Sequence, residues 1–295
     1  MRTGVIMMTS TPATRLHKDK SKQWHDVLSE LYDKFQQHGQ RAVDTFDEED
    51  VHQARVNCRK LMTLLRILDP NDTTELLPLF KKAQKRLGKV RDEDVLIDAF
   101  KDRRKQAKKL DQDQLAKLLK AVIEEQKEHR RLYRKKLVSK LPKLQGKKLQ
   151  KKWEPFLEQQ LSELVATSDV NRLMRELEIS YEQKKKHYRQ IAKEQGLEAD
   201  DTLTALHKVR IAAKELRYTA EAAGFALNAK FREHEQVYKG IQKELGHIND
   251  RHVWIEALEE LEPKRVKFDA DVRDELIGEL RREMSEAIHE NERVI

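Results

Sequence analysis

At 295 residues, with 38% charged and 38% apolar residues but only 9 Gly and 6 Pro, the chain has the make-up of long amphipathic helices, in one large or two medium domains. Sixty Lys and Arg against 52 Asp and Glu leave a formal charge of +8, which points to an acidic partner: RNA, DNA, anionic lipid or polyphosphate would all answer to charge alone. The single cysteine, Cys58, excludes an intramolecular disulfide, and no apolar run reaches the ~20 residues of a membrane span. A cytoplasmic location is the expectation.

Residues 1–12, rich in Thr, Ser and Pro and without periodicity, read as a disordered N-terminal extension; the apolar stretch Val5 to Met8 is too short for a signal-peptide core. A first helix is predicted over 15–42. A second runs from the acidic start Asp47, Glu48, Glu49, Asp50 to Leu68, where Asp69, Pro70, Asn71 and Asp72 stop it. This second helix carries two stripes. Val51, Ala54, Cys58, Leu61, Leu65 and Leu68 recur as one packing face, which makes Cys58 a core thiol. His52, Arg55, Arg59 and Arg66 repeat one position further on, about 100° round the helix, with Met62 interrupting. A third helix is predicted from about Thr74 to Leu87, with Gly88 as its C-cap and Asp92 as the N-cap of a fourth. A fifth, highly charged helix is predicted over 112–140 and a connecting one over 149–164.

The second half retells the first. Leu206, Val209, Ala213, Leu216, Ala220 and Ala223 form an apolar stripe, beside a basic stripe of His207, Arg210, Lys214 and Arg217. His207 follows His52 by 155 residues, and Gly246 and Asp250 follow Gly88 and Asp92 by 158. At that second offset Lys81, Gln84 and Lys85 correspond to Lys239, Gln242 and Lys243. Extending the offset pairs 15–42 with 171–194, and 112–140 with 267–290. Such recurrence implies two similar helical units, residues 13–141 and 142–295, each an antiparallel bundle. Like charges stacked at i, i+3 and i+4 repel by a few tenths of a kcal/mol per pair, so a row of them is costly unless an anion offsets it.

The pattern H-x-x-R-x-x-x-[RK] with L-G-x-x-x-D downstream, stated twice in an all-helical chain, resembles the CHAD family, the conserved histidine α-helical domain. His52, Arg55, Arg59, Leu61, Leu87, Gly88, Arg91, Asp92 and Val95 fit its first half. His207, Arg210, Lys214, Leu216, Arg217, Tyr218, Leu245, Gly246 and Asp250 fit its second. The resemblance covers nearly everything after the first dozen residues. It implies an all-α fold of two helical bundles related by a pseudo-twofold axis, with a basic groove or pore between them that binds inorganic polyphosphate without catalysis or cofactor. The polyphosphate-binding set is then His52, Arg55, Arg59, Arg66, Lys81, Lys85, Arg91, His207, Arg210, Lys214, Arg217, Tyr218, Lys239 and Lys243. A role at polyphosphate granules is also seen in the family. Two positions depart from a symmetric site: Met62 stands at the station of Arg217, and Asn249 at that of Arg91.

Other readings compete for the same residues. The Lys-rich runs at 101–109, 147–152 and 184–186 read as solvated faces. Asp92 and Asp250 read as caps rather than acid catalysts, and His247, Asp250 and His252 as a coincidental cluster astride a turn. No phosphate-binding P-loop, H-E-x-x-H zinc helix or metal-binding cysteine pair is present in the sequence. The strongest rival is a helical protein binding RNA or single-stranded DNA, for which exposed aromatic platforms would be needed; aromatics are 6% of the chain, and Tyr218 alone adjoins a basic stripe.

Overall fold

The computed structural model describes residues 12–197, 199–261 and 268–290, with side chains from residue 19 onward. The expected extension at 1–11 lies outside them. All regular structure among the described residues is helical. Helix α1 spans Pro12–Asp44, beginning on a proline whose fixed φ and missing N–H suit a first turn. Helix α2, Glu48–Leu68, starts where expected: the Asp47 carboxylate accepts from the backbone N–H groups of Glu49 and Asp50. It ends at Asp69, whose carboxylate accepts from the N–H groups of Thr73 and Thr74 and holds the turn into the next helix.

That next helix, α3, runs unbroken over Leu77–Lys109. The predicted break at Gly88 does not occur, and Asp92 caps nothing. A glycine followed by a helix-starting acid mimics a stop and start, but Leu87, Val90, Asp94 and Ile97 continue one buried face straight through it. Packing along that face outweighs the ~1 kcal/mol a helical glycine costs. Helix α4 (Asp113–Gln145) packs back along α3 and carries Pro142 inside its last turn rather than ending before it. The predicted connector at 149–164 is broken into α5 (Lys147–Pro155), a π-helical turn over Phe156–Gln160, and α6 (Leu161–Thr167). Pro155, with no N–H to donate, lies immediately before the wider turn.

Then follow α7 (Val170–Gln195), α8 (Asp200–Ala223), the short α9 (Ala229–Glu233), α10 (Glu235–Glu259) and α11 (Ala270–Glu290). Gly246 and Asp250 lie within α10, so the second predicted turn is absent too, and His247, Asp250 and His252 share one helix. Among the described residues no group of three or more His, Cys, Asp or Glu side chains is placed to hold a metal ion, and no helix is long and apolar enough to cross a membrane.

Two apolar clusters hold the helices. The larger runs from α1, α2, the first half of α3 and the last part of α4 through α5 to α9, and on to the first half of α10 and the end of α11. At one side of it Trp153 meets Tyr32, Phe80 and Phe156, and Phe80 meets Phe35. The smaller joins the far halves of α3 and α4 to the end of α10 and to α11, around Phe100, Leu119, Leu258 and Leu280. Leu141 is buried inside α4, and each cluster draws residues from both sides of it. The consequence for function is that α2 and α8, 155 residues apart in register, pack directly on each other.

Candidate functional site

The two apolar stripes drive α2 and α8 into the larger core: Val51, Ala54, Cys58, Leu61 and Leu65 on one helix, Val209, Ala213, Leu216 and Ala220 on the other, are each at most 1% exposed. The basic stripes, set beside them, are thereby carried to the edge of the contact. Where the helices meet, the Arg59 guanidinium lies 4.1 Å over the ring of Tyr218, and Lys60 pairs with Glu221 at 3.0 Å. Arg217 reaches the same ring at 5.7 Å and the Glu221 carboxylate at 3.7 Å, and donates to the Gln242 side chain on α10.

One turn away the cations crowd. Half-buried Lys214 feels Arg210 from its own helix and Arg55 and Arg59 from α2, with Asp92 of α3 as counter-charge. Burial first, and then those three cations, push its ammonium down to about 8. Burial also lowers Arg59 and Arg210, although Tyr218 and Glu221 support the charge on the first, and Asp250 that on the second. His52 is lowered by burial and by the nearby charge of Arg91, with Glu49 opposing, so it is held neutral at pH 7. His52 Nδ1 and Arg55 Nε are buried without a hydrogen-bond partner. Unsatisfied polar atoms are uncommon inside proteins, and here two lie together in a cationic cluster.

The helical glycine misread as a cap has a place here. A side chain at Gly88 would begin 3.7 Å from Arg55 Nε and 4.0 Å from the Asp92 carboxylate, so the bare backbone leaves a lane for Arg55 toward Asp92, which it approaches to 3.9 Å. Lys81, Lys85, Gly88 and Asp92 occupy one stripe of α3 at i, i+4, i+7 and i+11. What the sequence offered as a capping motif is one side of a continuous helix, beside Arg55 of α2. Lys239, Lys243, Gly246 and Asp250 make the same stripe on α10.

The predicted residues therefore separate into two groups. His52, Arg55, Arg59, Arg91, Arg210, Lys214, Arg217 and Tyr218 are partly buried around the meeting of α2, α3 and α8. Arg66, Lys81, Lys85, His207, Lys239 and Lys243 are exposed. Arg66 sits with Glu215 in a separate cleft beyond Tyr218, and His207 borders another formed with α10 and α11. Met62 is only 7% exposed. At the station where Arg217 satisfies Gln242, Met62 can donate nothing, and the Gln84 Oε1 atom is buried without a partner.

Sequence reasoning named Gln242 only as a repeat position and missed its contact with Arg217, and it missed Lys60 as a partner of Glu221; both contacts are set by which helices touch. It also missed a buried ionic network between α3, α4 and the start of α2: Asp94, 0% exposed, accepts from Arg130 at 2.9 Å and lies 3.6 Å from Arg134, while Arg130 also binds Glu48 at 3.1 Å. Beside it Glu93 is pushed up to about 7, by burial first and then by Asp92, Glu260 and Asp94. The signal available was an acidic triplet, Asp92, Glu93 and Asp94, opposite Arg130 and Arg134 at i, i+4, which pattern reading discounts as surface charge.

Comparison with known proteins agrees with this architecture. A family model for the CHAD domain matches residues 26–259. The crystal structure of the CHAD domain from the plant Ricinus communis superposes with a TM-score of 0.61 at 20% identity, over 90% of this chain and 86% of that one, which speaks for the fold alone. No curated protein sequence matches. With the family model spanning every helix from most of α1 to the end of α10, this chain belongs to the CHAD-domain family.

Proposed function

We propose that the protein binds inorganic polyphosphate, without hydrolysing it, in the groove formed by α2, α8 and the flanking stripe of α3. The carrying observation is the crowding at Lys214: three arginines and a lysine from two helices lie together, and Asp92, Glu221 and Asp250 offset their charge and burial only in part, an arrangement that destabilises the empty protein and that a chain of phosphates would relieve. Phosphate oxygens also suit the donor left over at Arg55 Nε. Lys81 and Lys85 on α3, and Lys239 and Lys243 on α10, extend the cationic surface along both flanks. Catalysis has little to work with here. The Cys58 thiol is completely buried and pushed strongly upward by that burial, which leaves it unreactive.

A nucleic-acid partner fits less well. Tyr218, the aromatic that adjoins the stripe, is half-buried and already lies under the Arg59 guanidinium, which makes it a poor platform for a base. Its part is to hold Arg59 in place. A reducing, cytoplasmic setting agrees with the lone buried thiol, and binding to polyphosphate would carry the protein to granules rich in it.

The deciding experiment is competition at one ionic strength and equal phosphate concentration. Long-chain polyphosphate is expected to displace a labelled polyphosphate probe far better than tRNA or single-stranded DNA does. Equal or better displacement by nucleic acid would transfer the assignment to that class. Incubation with polyphosphate should release no orthophosphate; turnover lost on mutating Lys214 would overturn the binding-only reading.

A further inference from the structure

The groove is not the same on its two sides. Near His52 it is flanked by Arg91, but the matching station on α10 holds Asn249, which borders a cleft instead of a charge cluster. That cleft lies between α8, α10 and α11. Its floor is apolar, made by Leu206, Leu245, Ile248 and Met284, and its rim carries His207, Arg210, Asn249 and His252. The enclosed part is small, about 50 Å³, enough for the edge of a planar ring and not for a whole nucleoside. Arg210 faces both ways. It borders the cleft and, one helical turn on, Lys214 belongs to the cation cluster.

A phosphate chain alone has no use for an apolar floor. A ligand with a flat, weakly polar ring on one end and phosphates on the other would use all of it: ring edge against Leu245 and Ile248, the Asn249 amide offering both a donor and an acceptor to the ring's polar edge, and phosphates running past Arg210 toward Lys214. We propose that the His207 side of the groove reads an organic group at the end of a phosphate chain, and that this protein binds a nucleoside triphosphate more tightly than bare tripolyphosphate. The inference rests on the groove being a phosphate path.

Titration calorimetry at pH 7, at fixed ionic strength and without divalent cations, tests it with ATP, tripolyphosphate and long-chain polyphosphate. ATP should bind about fivefold more tightly than tripolyphosphate, the yield of covering roughly 40 Å² of ring. Asn249→Arg, which restores the charge found at Arg91, should abolish that advantage while leaving tripolyphosphate binding equal or stronger. Should that variant fail to fold, His252→Ala, at an exposed position on the same rim, should cut the advantage instead. If ATP gains nothing over tripolyphosphate while long-chain polyphosphate binds, the inference falls and the groove reading stands. If the ATP preference survives both substitutions, the cleft is not its source and the inference falls equally. If no phosphate compound binds, the groove reading itself fails.

Discussion

At the scale of single residues, Lys214 separates the needs of folding from those of binding. Its ammonium is lowered from 10.5 to about 8, so between those values the unfolded chain holds a proton that the native state does not. Stability contributed by this residue therefore rises as pH climbs from about 8 toward 10.5, and below pH 8 the folded protein carries the full cost of the charge. Lys214→Met is accordingly expected to raise the melting temperature of the free protein at pH 7, by roughly 1 kcal/mol after solvent screening, or a few degrees. The same change should weaken polyphosphate binding. In the wild type, affinity should be flat up to about pH 8 and then fall by up to tenfold per unit, because phosphate requires the proton that free Lys214 is losing. Lys214→Arg should flatten that profile. A melting temperature lowered by Lys214→Met would mean that Asp92 outweighs the three arginines, and the cluster would then be a stabilising ion pair instead of an empty anion site.

At the scale of elements, the glycines decide how α3 and α10 are to be understood. Gly88 and Gly246 sit inside continuous helices, and neither is among the residues with positive φ. A left-handed cap would resist alanine; a helix interior welcomes it. Nothing lies within 4 Å of a side chain added at Gly246, and the nearest atom at Gly88 is at ordinary contact distance. Both Gly88→Ala and Gly246→Ala should therefore stabilise the protein by about 0.5–1 kcal/mol in denaturant melts. Gly88→Leu should instead push Arg55 off its lane and weaken polyphosphate binding several-fold with the fold intact. These same residues mark how far the sequence could be read. The two striped helices and the buried Cys58 were legible because a period of 3.6 is imposed by one helix on itself. The break at Gly88 was misread because local capping chemistry is the same whether or not the next turn finds a core to pack on, and Val90 and Ile97 find one. The pairings of Arg59 with Tyr218 and Lys60 with Glu221 depend on which helices touch, and no spacing along one helix encodes that.

At the scale of the whole molecule, the formal charge of +8 is spread over many helices, while the proposed site uses a small part of it. Two explanations of anion binding then predict different salt behaviour. If the ligand reads the overall field, every surface cation contributes alike; if it lies in the groove, only cations in contact release counterions on binding. Arg217 tests the second, being held at the meeting of α2 and α8 by Tyr218, Glu221 and Gln242. Lys186, exposed on α7 in a run read as solvated, tests the first, and serves better than its neighbour Lys185, whose amino group packs 5.8 Å over the Tyr181 ring. Arg217→Met should weaken polyphosphate binding and shrink the slope of log K against log salt by about one unit or less, as for one lost phosphate contact. Lys186→Met should leave the slope nearly unchanged. Met62→Arg, the swap that would complete the opposite station, is expected to cost stability instead, because Met62 is buried and a guanidinium there would have to leave water. Melting curves for all three variants separate misfolding from lost contacts. Equal losses from Arg217→Met and Lys186→Met, with both proteins folded, would mean that the ligand answers to net charge and that the groove is not its site.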